Sequence, residues 1–143
     1  MTEDECTRIV YARAGLGDPA MARCEKCGAA SPLSRQHLVK RSHGGSWDPR
    51  NILILCGDGT TGCHGWAEHH PTEAEAAGWA YKPGQALGVR PIPHHFLGPV
   101  WLLADGGYSY GPPEEAGPDL AGMVEDLRAP LPWPPHLATR PPR

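Results

Sequence analysis

Cys24-Glu25-Lys26-Cys27 and, beginning 29 residues later, Cys56-Gly57-Asp58-Gly59-Thr60-Thr61-Gly62-Cys63 decide how this chain folds. The first pair is a C-x2-C knuckle, a turn that aims two thiolates at one point with the spacing tetrahedral zinc requires. The second pair is wider than usual, with six intervening residues. Three of those six are glycines, so the loop can fold back and bring its thiolates together. The chain holds five cysteines, and an odd number without a secretory signal argues against a disulfide framework. A redox reading of the knuckle lacks the βαβ context it would need. The spacing therefore predicts one structural Zn2+ held by Cys24, Cys27, Cys56 and Cys63, with Cys6 left as an ordinary thiol.

The rest of the composition makes such a staple necessary. The 143 residues are one domain's worth, yet Leu, Ile, Val and Phe together number only 23. Gly (18) and Pro (17) make up about a quarter of the chain, which places much of it in turns and loops. A closed zinc site contributes on the order of 10 kcal/mol to folding, enough to offset a thin core. No apolar run approaches the roughly 18 residues that span a bilayer, so no membrane is expected as a partner. The acidic start, Met1-Thr2-Glu3-Asp4-Glu5, is unlike a signal peptide and places the expected location in the cytoplasm. Net charge is −3, but one stretch runs against it: Arg23, Lys26, Arg35, Lys40, Arg41 and Arg50 fall within 28 residues. A local positive patch of this kind suits a phosphate backbone, although on charge alone a solvated face is the commoner meaning.

Periodicity predicts a helix over residues 2–14, opened by a Thr2/Glu5 capping box. Strands are expected at Ser34–Val39 and Ile52–Leu55, with a long turn-forming connection between them. A helix is expected from Cys63 through Glu68, and helical turns over Pro71–Ala77 stop at Gly78. Residues 79–110 read as short strands, Val100–Leu103 the clearest. Nine of the 17 prolines lie beyond residue 110, so 111–143 reads as a Pro-rich, unpacked tail with one helical stretch at Asp119–Arg128.

Between the cysteine pairs stand Gln36-His37, then His43-Gly44-Gly45, then Asn51 directly before Ile52-Leu53-Ile54-Leu55; His64 follows Cys63. A strand with His, a glycine-rich return, a strand started by Asn and a helix started by His would make a compact β-β-α finger, in which His37 can face His64. With the run His37–Gly45, the Asn51–Cys56 strand and Gly62-Cys63-His64-Gly65-Trp66, the chain resembles the HNH endonuclease family. It is most similar to the small zinc-stapled HNH proteins of actinobacterial phages and their hosts. The resemblance covers about residues 20–80.

The resemblance implies an α+β fold built on a ββα-metal finger and metal-assisted hydrolysis of phosphodiester bonds in DNA. By it His37 is the general base, a task that suits a neutral imidazole near pH 7. His64 is the helix-borne ligand of a catalytic divalent cation such as Mg2+, Mn2+ or Ni2+, and Asn51 positions the hairpin loop. Gln36 stands where the family often has Asp or His as a second ligand, and a neutral amide oxygen is weaker. Glu68, at i+4 from His64 and so on the same helix face, is the candidate substitute. Arg35, Lys40, Arg41, His43 and Arg50 are the candidate DNA contacts. Phage packaging (terminase) proteins are implied as partners only by similarity, and the location implied is a bacterial or phage-infected cell. The expected organisation is an N-terminal helix and loop (1–22), an HNH nuclease domain (23–80), a short β extension (81–110) and the tail (111–143). Two rivals compete: a zinc-stapled DNA-binding module in which Gln36 has cost the catalysis, and a zinc-ribbon scaffold that binds proteins through its tail.

Overall fold

The computed structural model describes residues 1–116. The expected helix at 119–128 and most of the Pro-rich tail lie outside the described residues. The fold is a small mixed α+β arrangement of short helices and two antiparallel sheets. Helix α1 (Glu3–Ala14) starts as its sequence demands. The Thr2 hydroxyl accepts from the Glu5 N–H at 3.2 Å, and the Glu5 carboxylate accepts from the Thr2 N–H at 2.9 Å. Acidic residues in its first turn and Arg13 in its last complement the helix dipole.

Strand β1 (Leu33–His37) pairs with β2 (Ile52–Cys56), Leu33 opposite Cys56 and His37 opposite Ile52. β1 ends two residues before the expected Val39, because the Val39 N–H donates to the Asn51 side chain instead of to a strand partner. Helices α2 (Gly62–His69) and α3 (Pro71–Ala77) follow, and Gly78 ends α3 with φ of 93°, a conformation that favours glycine. The second sheet is a meander of β3 (Ile92–His94), β4 (Gly98–Leu102) and β5 (Tyr108–Ser109).

β2 is apolar at nearly every position because it is covered on both faces. Ile52 and Ile54 pack against Cys6, Val10 and Ala14 of α1. Leu53 and Leu55 pack the other way, with Leu38, Ala67 of α2, Ala74 of α3, Trp79, and Ile92, Val100 and Leu102 of the second sheet. Each such side chain, fully buried, stabilises by roughly 1.5–3 kcal/mol. The hairpin is thus the middle layer, and residues from 1–22 and from 81–110 complete its two cores. Among the described residues no helix is long and apolar enough to cross a membrane.

Candidate functional site

The four cysteines of the two pairs converge. Their sulfur atoms all lie within 4.8 Å of one another, none is disulfide-bonded, and Cys27 Sγ is 3.5 Å from Cys56 Sγ. A tetrahedral ion about 2.3 Å from each sulfur sets the sulfurs about 3.8 Å apart, so this donor set fits a structural metal such as zinc. Backbone supports the thiolates from within each pair: the Cys27 N–H donates to Cys24 Sγ and the Cys63 N–H to Cys56 Sγ, both at 3.4 Å. Burial pushes the Cys56 thiol up, but the Cys63 N–H and the neighbouring thiols outweigh it and leave its pKa below the ordinary value. The widened loop closes as its glycines allow, with Gly57 and Gly62 at φ of 82° and 63°. Inside it the Asp58 carboxylate accepts from the Thr60 hydroxyl and from the N–H groups of Thr60 and Thr61, which hold its pKa down to about 2.

Inside the knuckle, Glu25 is fully buried and ties it to three other elements. Its carboxylate pairs with Arg13 of α1 at 2.9 Å, accepts the Ile54 N–H of β2 at 2.8 Å, and accepts the Tyr108 hydroxyl of β5 at 2.5 Å. The Glu25 backbone also pairs with Ile54 and His95. Sequence reasoning missed this hub. Its signal was an arginine standing beside Ala14, one turn after Val10 on the apolar stripe of α1.

The remaining motif residues sit on and around the hairpin. Asn51 is fully buried and holds the connection between the strands: its Oδ1 accepts from Val39 N–H at 2.7 Å, and its Nδ2 donates to the carbonyls of Val39 and Ser46. His64 Nδ1 lies 2.6 Å from the Ser34 hydroxyl, which seats the first turn of α2 on β1. Its Nε2 is 3.8 Å from Glu68 Oε1, and the other Glu68 oxygen is 3.4 Å from Lys40 Nζ. Burial holds the His64 pKa below its ordinary value despite Glu68 and Asp58. Gln36 shares the Ser34 face; its Nε2 donates to the Trp79 carbonyl at 3.3 Å, and its Oε1 is buried without a partner.

His37 closes β1, opposite Ile52 of β2. Side chains alternate along a strand, which puts residues 35 and 37 on one face of β1 and residues 34 and 36 on the other. The His37 ring packs edge-on against Trp47, 4.5 Å between centroids. Its Nε2 is buried without a partner, which leaves Nδ1 as the open nitrogen. Burial and the charges of Arg41 and Arg35 lower its pKa, with Glu3 and Glu68 acting against them. Glu68 is therefore within electrostatic reach of both histidines.

Of the candidate DNA contacts, Arg35 bonds Glu3 and Thr7, Arg50 grips Asp48 through two nitrogens, and Lys40 meets Glu68. Arg41 and His43 are exposed. Trp47, which sequence reasoning passed over as part of a turn, lies among them. Among the described residues the four cysteines are the only cluster of three or more His, Cys, Asp or Glu side chains whose donor atoms converge. No family model, curated protein or solved structure matches the chain. Fold and site together define a small α+β protein with a four-cysteine centre able to hold a structural metal.

Proposed function

We propose that the chain is a metal-dependent HNH endonuclease hydrolysing phosphodiester bonds in DNA. The observation that carries this reading is the assembly of one short stretch: an antiparallel hairpin pinned by Asn51, then a helix whose first turn lays His64 on β1, with the four cysteines clasping both. Hairpin, Asn and His-bearing helix in that order are what a ββα-metal finger needs. In this reading His37 takes a proton from the attacking water through Nδ1, and its lowered pKa keeps the ring neutral near pH 7. Asn51 fixes the connection that follows His37 and so orients the base. His64 and Glu68 would hold the catalytic divalent cation, with the buried Gln36 Oε1 as a neutral oxygen on the same face of β1 as Ser34. Bound there, that ion supplies charge stabilisation to the phosphate and the leaving oxygen.

A second reading, a DNA-binding module without cleavage, is favoured by one observation. The Gln36 amide is spent on the Trp79 carbonyl, and His64 with Glu68 makes only two converging ligands. Incubating the zinc-bound protein with supercoiled plasmid, with and without Mg2+, Mn2+ or Ni2+, decides between them. The nuclease reading expects nicking or linearisation only with the cation. His37→Ala should slow it on the order of a hundredfold or more while cation affinity holds. His64→Ala should be partly rescued by more cation. Tight DNA binding with no cleavage under any of the three ions leaves the second reading.

A further inference from the structure

Three side chains converge on the tryptophan of the β1–β2 connection. The guanidinium carbon of Arg35 lies 4.8 Å from the centre of the Trp47 ring and that of Arg41 5.4 Å from it, while the His37 ring meets its edge. Bringing two guanidiniums to one indole is opposed by their mutual repulsion, which an arriving anion relieves. The carboxylates nearby do not do so in full. Lys40 is paired with Glu68, Arg50 with Asp48 and Arg35 with Glu3, each at a partly exposed pair. Among the described residues, Arg41 is the one Lys or Arg of 35–50 without a carboxylate partner, and it is exposed. The indole itself is fixed from beneath. It packs against the cluster of Ile52, Ile54 and Val10, and Asn51 holds the carbonyl of its neighbour Ser46. The result is a rigid aromatic floor that orients two guanidinium forks beside His37.

We propose that Arg35, Trp47 and Arg41 form a clamp for a backbone phosphate of DNA, with Trp47 as the positioning residue that sets the strand against His37. The inference rests on the nuclease reading for the identity of the polymer and the role of His37. A guanidinium fork matches a phosphate with two parallel hydrogen bonds, which a lysine in its place cannot do. Arg41 is open to the phosphate at once. Arg35 joins as the phosphate replaces the Glu3 carboxylate, an exposed pairing of small worth. The clamp grips backbone and reads no base, so it acts on any sequence.

The test is the affinity of the full, zinc-bound chain for a labelled random-sequence duplex across a salt series, without divalent cation so that nothing is cut. Arg41→Gln and Trp47→Leu should each weaken binding about tenfold and flatten the salt slope by about 0.9 for each phosphate no longer neutralised. Trp47→Phe, which keeps an aromatic floor, should retain most of the affinity. Arg8→Gln removes the same charge from an exposed position on α1 and should leave affinity within about twofold. Combining Trp47→Leu with Arg41→Gln should cost little more than Arg41→Gln alone, because the two act as one unit. Should Trp47→Leu fail to fold, Arg41→Gln and Trp47→Phe carry the test by themselves. An Arg41→Gln protein whose affinity and slope match those of Arg8→Gln overturns the clamp. If the clamp variants lose slope while the parent never cuts plasmid, the clamp stands and the nuclease reading falls. If the parent cuts and the slopes do not move, the reverse holds.

Discussion

The ring of His94 is held in its neutral form by two backbone groups. Its Nδ1 accepts the N–H of Phe96 at 3.1 Å and of Leu97 at 3.3 Å, which a protonated nitrogen cannot do. The side chain is buried edge-on to Tyr108, with its Nε2 unpartnered. Burial lowers its pKa to about 4, helped by Arg13 and His95 and opposed by Glu25. An unfolded histidine titrates near 6.5, so below about that pH the unfolded chain binds a proton the folded chain refuses. The stability His94 contributes is complete above about pH 6.5 and is lost as the pH falls towards 4, on the order of 3 kcal/mol in all. His94→Gln keeps an acceptor for the two N–H groups and does not titrate. The gap in melting temperature between parent and variant should therefore narrow from pH 7 to pH 4.5, and comparing the two cancels any acid release of zinc. A gap independent of pH shows that His94 is not the group responsible.

At the level of elements, what local chemistry decides was readable. The Thr2/Glu5 box started α1, Gly78 stopped α3, and the cysteine spacing brought four sulfurs together across a loop that only its glycines could close. Pairings between distant residues were not readable. Glu25 stands between two cysteines, where a charge looks like a solvated turn residue; its partners Arg13 and Tyr108 lie 12 and 83 positions away. The knuckle, α1, β2 and β5 all meet at this one carboxylate. Glu25→Gln keeps an acceptor for the Ile54 N–H but leaves the Arg13 guanidinium buried without a counter-charge. Breaking a buried pair from one side costs about 3–5 kcal/mol, and the denaturant midpoint with zinc present should fall by the equivalent. Adding Arg13→Met should recover part of that loss, since the stranded charge goes with it. A Glu25→Gln protein that unfolds at the parent's midpoint would show that the pair does not hold these elements together.

Across the whole molecule, the order of His37, Asn51 and His64 around one hairpin was legible, but the seating of His64 on Ser34 was not. Ser34 lies 30 positions before His64, and nothing in either residue's type marks the contact. The sequence reading divides the chain into an N-terminal helix and loop (1–22), a zinc-stapled domain (23–80) and a β extension (81–110). In the fold these segments share their cores. Cys24 belongs to the same core as Ile92, Val100 and Leu102, and Glu25, its neighbour, anchors α1 and β5. Releasing the knuckle would withdraw Glu25 from Arg13 and expose both faces of β2 together. The purified protein should carry about one zinc per chain, kept in Cys6→Ala and lost in Cys56→Ser. Strong chelation should then remove hydrogen-exchange protection from α1, the hairpin and β4 in one step, because none retains a core without the others. Protection that persists in α1 and β4 while the hairpin exchanges would mean separately folding units, and a zinc-free protein with an unchanged melt would mean that the cysteines are not its staple.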